Sequence, residues 1–194
     1  MTNTSATGGF LLPAASPAPL EGQDFEDFLQ QIFVGLTGIP GKFVRPRWQP
    51  EPPDLPAAAT DWFAFGITEW DPDTYAVEEH DRSGNGTTNL KRHETVRILL
   101  SFYGQRASYY MALLRDGLQI EQNREVFQRN AMGLVDTGRA TAVPSLVKDK
   151  WLNRIDLPMT MRRLILRTYP VLNLVSFNGI LYTEQQEISI NVTQ

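Results

Sequence analysis

The chain has no cysteine among its 194 residues, which excludes disulfides, thiolate metal sites and a cysteine nucleophile. It has no run of about 18 apolar residues, so no membrane span is expected. Basic charge is also in short supply: 18 Lys and Arg stand against 22 Asp and Glu, a net charge of −4, and the isoelectric point is near 5.2. Proteins whose main task is gripping nucleic acid are basic, so that class is disfavoured. The first nine residues lack the basic start of a secretion signal, and a chain made in the cytoplasm is expected. Only two histidines occur, His80 and His93, and neither has a partner at metal-ligand spacing. No G-x-S-x-G nucleophile elbow is present. Gly84-Asn85-Gly86 lacks the Lys-Ser/Thr ending and following helix of a phosphate loop, so it reads as a hairpin tip. The acids Asp71, Asp73, Glu78, Glu79 and Asp81 lack the glycine and glutamate positions of an EF-hand, so they read as solvated turn and strand edges. The aromatics Trp62, Phe63, Phe65, Trp70 and Tyr75 sit in the most acidic stretch, where phosphate is repelled, and are assigned to the core. No catalytic residue, cofactor site or metal site is assigned.

What is present is an uneven layout of charge. Residues 1–82 hold 13 acids and four bases, a net of −9, and residues 83–194 hold nine acids and 14 bases, a net of +5. Residues 51–81 carry nine acids and no Lys or Arg. One reading places these charges on separate solvated faces of one fold. Another gives each copy opposed faces that attract a second copy, and a head-to-tail contact of that kind closes into a ring when the rotation permits.

The pattern along the chain predicts an α+β fold: a mainly antiparallel sheet with helices packed on one face, plus an extended N-terminal arm. Residues 1–22 are read as that arm, and residues 23–194 as a single domain. Gly8, Gly9, Pro13, Pro17 and Pro19 deny the arm any regular period, while Phe10, Leu11 and Leu12 are candidate anchors on a neighbour. Phe25, Phe28, Leu29, Ile32, Phe33 and Leu36 mark one helical face, with Asp24 as the expected N-cap and Gly38 as the stop. Residues 43–48 suggest a short strand, and four prolines make residues 49–59 a loop. Strands are expected at 61–69, 74–82 and 88–103, with Trp70-Asp71-Pro72-Asp73 as a turn. A helix from Gln105 presents Ala107, Tyr110, Met111, Leu114 and Leu118 as a stripe, and a second covers 122–128. A short strand is expected at 132–135 and a helical turn at 144–150. Ile155, Leu157, Met159 and Met161 alternate as a strand, Arg163 and Arg167 continue its parity, and 180–192 supplies a last strand.

Several runs resemble one family. Leu99-Leu100-Ser101-Phe102-Tyr103-Gly104, then Ala107 to Ile120 and Gln122-Asn123-Arg124-Glu125, are similar to the neck or tail terminator proteins of tailed bacteriophages. So are Asp156-Leu157, Met161-Arg162-Arg163, and Arg167-Thr168-Tyr169-Pro170-Val171-Leu172-Asn173. The resemblance spans roughly residues 25–175 and implies a structural virion protein rather than an enzyme, located in the neck at the top of the tail. It implies a homo-oligomeric ring, commonly of six copies, that caps the tail tube, stops its polymerisation and joins it to the head. The implied partners are other copies of the chain, the tail tube protein, a sheath protein where the tail has one, and a head-completion or adaptor protein. DNA would pass through the lumen without specific binding. Under that reading Gln122, Asn123, Arg124, Arg162, Arg163 and Arg167 are the candidate subunit-interface residues. The alternatives are another neck component, such as a head-completion or collar protein, and a metal-dependent enzyme built on residues 51–81.

Overall fold

Alternation of apolar and polar residues persists through two long segments, and each forms one continuous strand, of 17 residues (Thr87–Tyr103) and 16 residues (Arg154–Tyr169). The computed structural model describes residues 3–14, 20–57, 59–147, 150–174, 176–182 and 187–193. In chain order the helices are α1 (Gly22–Thr37), α2 (Ala107–Gly117) and α3 (Glu121–Arg129). The strands are β1 (Val44–Pro46), β2 (Trp62–Pro72), β3 (Val77–Asp81), β4 (Thr87–Tyr103), β5 (Met132–Thr137), β6 (Thr141–Ala142), β7 (Ser145–Val147), β8 (Lys150–Leu152), β9 (Arg154–Tyr169), β10 (Ser176–Tyr182) and β11 (Glu187–Thr193). The chain divides into two compact units.

The larger unit comprises residues 18–76 and 92–165. Its strands lie in the order β1-β2-β4-β9-β5, with the β1–β2 pair parallel and the β2–β4 and β5–β9 pairs antiparallel. One face of this sheet carries Phe63, Phe65, Val96, Ile98, Leu100, Phe102, Leu157, Met159 and Met161, all essentially buried. Phe25, Leu29 and Phe33 of α1, Leu114 of α2 and Phe127 of α3 close over that face in a single cluster. The expected α+β class, with its mainly antiparallel sheet, is what forms.

Local differences from expectation have physical causes. Asp24 lies in the first turn of α1 rather than at its cap, where Glu21 sits, and there its charge still favours the positive helix end. Gly38 ends α1 as expected, at φ 71°, donating its N–H to the Val34 carbonyl at 2.9 Å. Trp70, Asp71 and Pro72 belong to β2, not to a turn. A bulge at Thr68 shifts the register so that Trp70 pairs with Val96. The short β1 covers only Phe63 to Phe65, so Pro72 lies where β2 is an edge and no ladder donor is needed. In place of the helical turn expected at 144–150, residues 145–147 form β7, paired antiparallel with β8, since so short a segment cannot repay helix nucleation; residues 148 and 149 lie outside the described residues.

The smaller unit comprises residues 1–17, 77–91 and 166–194. Here β3 pairs with residues 87–91 of β4 around a tip at Ser83–Gly86, as the glycines suggested. The expected last strand is two, β10 and β11, antiparallel to each other; residues 183–186 between them lie outside the described residues. Asn173 organises the hairpin tip. Its Nδ2 donates to the carbonyls of Arg82 (3.0 Å) and Gly84 (3.2 Å), its Oδ1 lies 2.9 Å from His80 Nε2, and its backbone N–H donates to Asn85. A Cβ on Gly86 would stand 2.6 Å from Asn173, so the close approach and the φ of 91° both require glycine. Residues 3–14 of the arm are tied to the same unit: Ser5 donates its N–H to the Pro170 carbonyl (3.2 Å) and Ala14 to that of Thr168 (2.7 Å). Residues 15–19 lie outside the described residues.

Candidate functional site

The acidic stretch and the basic half of the sequence meet inside the protomer. Asp61 pairs with Arg106 (3.0 Å), Glu69 with Arg97 (2.5 Å), Asp73 with Arg162 (2.6 Å) and Glu79 with Lys91. Strand order explains two of these pairs: Glu69 of β2 and Glu79 of β3 lie directly beside β4, which holds Arg97 and Lys91. Four of the nine acids in residues 51–81 are thus paired with bases of the second half within the chain, which reduces the charge left for self-attraction.

The arginines singled out from sequence separate into different environments. Arg163 is 5% exposed and does not offer its charge to another molecule. Its guanidinium donates to Glu94 (2.7 Å) and to the Leu20 carbonyl (2.6 Å), and lies 4.7 Å from the Phe25 ring centre. Even parity on β4 and odd parity on β9 both point to the helix-covered face, so Glu94 and Arg163 meet there. Arg162, on the opposite face, is exposed and bonds Asp73 and, at 3.4 Å, Thr95. Arg167 is half-buried in the smaller unit.

Gln122 and Asn123 come together in a groove of about 420 Å³ between α1 and α3. Phe28, Gln31, Ile32, Gly35 and Leu36 form the α1 wall, and Val126 completes the α3 wall. Asn123 Nδ2 donates to the Gly117 carbonyl at 2.9 Å, which fixes the start of α3 against the end of α2. Arg124, next in sequence, keeps a buried Nε without a hydrogen-bond partner.

Two locks escaped the sequence reading. At the end of β4, Gly104 adopts φ 107°, and a Cβ there would stand 2.5 Å from Asp61. Asp61 receives the backbone N–H of Arg106 (2.8 Å) and its Nε (3.0 Å), so it caps α2 from a distance and raises the Arg106 pKa further. Across the sheet's outer face, the Arg45 guanidinium lies 5.7 Å from the Trp62 ring, Trp62 stacks on Tyr103 at 4.2 Å, and Arg154 lies 5.8 Å from Tyr103. Arg154 forms a bidentate pair with Asp156 (2.7 and 2.8 Å), which also accepts the Ser101 hydroxyl, itself a partner of Arg47. Asp156 holds the Arg154 pKa above its ordinary value. These side chains come from β1, β2, β4 and β9 and brace one end of the sheet. Register, invisible in a single sequence, brings them together.

Exposed apolar side chains mark what the protomer leaves uncovered. Leu146 and Trp151 face each other across the β7–β8 hairpin and are 59% and 73% exposed. Phe10 is 94% exposed and Leu12 69%, while Leu11 is half-buried. No group of three or more His, Asp or Glu residues that could hold a metal ion occurs among the described residues. None of their helices is long and apolar enough to cross a membrane.

A family model described as phage neck terminator protein matches residues 23–186. The chain belongs to that family. No curated protein matches the chain. Membership makes it a phage neck and tail component, a structural part of the virion. The matched span begins inside α1 and takes in the groove, the braced sheet and the β7–β8 hairpin, and the arm precedes it. The family runs noted in the sequence now have local causes: Tyr103-Gly104 closes β4 on Asp61, Gln122-Asn123 walls the groove, and Asn173 ties the hairpin tip.

Proposed function

We propose that copies of this chain close into a ring, six by our reading, that caps the finished tail tube. The ring stops further tube polymerisation and offers the surface on which the head side of the neck docks, through a head-completion or adaptor protein. A contractile particle adds a sheath contact. DNA passes through the lumen, and an acidic chain suits that passage, because each phosphate-neutralising cation would add counterion-release affinity and slow sliding. For this role residues 1–22 act as an arm and residues 23–194 as the ring-building body. Gln122, Asn123, Arg124, Arg162 and Arg167 are the residues we assign to the contact with the adjacent copy, while Arg163 acts from inside by holding α1 to the sheet. The Arg162–Asp73 pair is exposed on both sides, and such pairs contribute so little that an adjacent copy's acid can replace one partner.

Family membership carries this reading, and the uncovered apolar side chains support it, since assembly surfaces are where monomers leave such groups exposed. The test is the native mass and cross-linking of neck–tail pieces purified from particles. The expected mass is a multiple of 21.9 kDa with cross-links to the tube protein. A single copy, or cross-links to the portal side alone, would make it a different neck component.

A further inference from the structure

We infer that the α1–α3 groove of one copy receives the Phe10 tip of the neighbouring copy's arm. The inference rests on the ring reading and supplies its contact. It begins with Gly35. A glycine inside a helix costs stability relative to alanine and needs a compensating reason. In the protomer Gly35 has none: its φ lies outside the left-handed region, and a Cβ placed on it would meet nothing within 4 Å. Its place is in the α1 wall of the groove, one turn beyond Gln31 and two beyond Phe28, facing Gln122, Asn123 and Val126. The missing side chain keeps the groove open for a side chain that the protomer does not itself provide.

The occupant follows from charge and presentation. No residue lining the groove is charged. The arm is uncharged as well: residues 1–20 contain no Asp, Glu, Lys or Arg. The β7–β8 hairpin, with exposed Leu146 and Trp151, carries Lys148, Asp149 and Lys150 in its sequence, and exposed Trp48, Tyr75 and Val77 stand within two residues of Arg47, Asp73 and Glu78; burying those charges beside a neutral groove would cost desolvation. Phe10 is also held ready. Ser5 and Ala14 pin both ends of the loop, and Asn3 Nδ2 donates to the Phe10 carbonyl at 3.2 Å. Gly8 and Gly9 turn the chain at φ 71° and 82°, and a Cβ on Gly9 would stand 2.8 Å from Asn3. A ring held out at 94% exposure on a closed loop loses little freedom when it docks.

The absence of cysteine makes the test direct. Phage carrying Phe10→Cys and Gly35→Cys in the same chain are assembled and treated with a short thiol cross-linker. A denaturing gel should show dimers and higher multiples of the chain. Chain linked only to itself, linked to the tube protein, or not linked would overturn the inference. An amine cross-linker run in parallel separates the two readings: a ladder of multiples without the thiol links leaves the ring standing and removes this contact, and no ladder removes the ring. Filling the groove gives a second arm. Gly35→Ala should raise the melting temperature of the purified chain. Gly35→Trp should leave it folded by circular dichroism and abolish ring assembly, and Phe10→Ala should weaken assembly about tenfold to a hundredfold. Assembly of Gly35→Trp at the normal level would refute the contact.

Discussion

At the residue scale the strongest single dependence is the buried Glu94–Arg163 pair, with side chains 11% and 6% exposed. Removing one partner strands a charge, so Arg163→Ala should cost about 3–5 kcal/mol in urea denaturation. Replacing both, as Glu94→Leu with Arg163→Met, should recover most of that loss; a single-variant cost below about 0.5 kcal/mol would place the pair in solvent. Charge reversal at Arg163 therefore reads folding, and Arg162 is the position for testing assembly. Glu26 offers a pH signature. Burial, and then the neighbouring Asp27 carboxylate, raise its pKa. A carboxyl group with a raised folded pKa contributes stability below its unfolded pKa and loses it as pH rises through the folded one. Glu26→Gln should thus raise the melting temperature at pH 7 and bring no gain near pH 3. An equal gain at both pH values would show that the carboxylate carries no penalty. Asp81 runs the other way. The Ser83 N–H lowers its pKa, so its contribution is present at neutral pH and lost under strong acid.

Elements differed in how far they could be read. The period-3.6 stripe of α1 and the alternation in β4 and β9 predicted elements that form, because each buries a single face whose pattern is written in consecutive residues. The β7–β8 hairpin and the extension of β2 through Pro72 were not visible, because both depend on which neighbour pairs with the strand and for how long. The same holds for sites. Gln122 and Asn123 were legible as polar residues with no place in a core, whereas Asp61 acts through Arg106 and Asp156 reaches Ser101, partners more than 40 positions away. Arg163 was misplaced because parity says which face a residue takes, not that a glutamate awaits it there. The lock at the end of β4 gives a test on this scale. Gly104→Ala must hold φ 107° against Asp61 and should cost about 1–3 kcal/mol in urea denaturation, with loss of near-ultraviolet signal from the stacked Trp62–Tyr103 pair. A change within about 0.5 kcal/mol would show that the strand end relaxes freely.

On the scale of the whole molecule, four of the nine acids in residues 51–81 are paired with bases of the second half within the chain, so fewer charges are left to meet a neighbour. Assembly should then depend weakly on salt: rings isolated from particles should persist in native mass measurements between 0.1 and about 0.5 M salt, where screening shortens to a few ångströms. Dissociation over that range would return the main role to charge. In the ring proposed above, assembly is then assigned to apolar contact and shape rather than to charge. The most direct test of the ring's role is electron microscopy of particles made without this chain. Tails that overrun their normal length or fail to join heads are expected. Normal-length tails attached to filled heads would contradict that role.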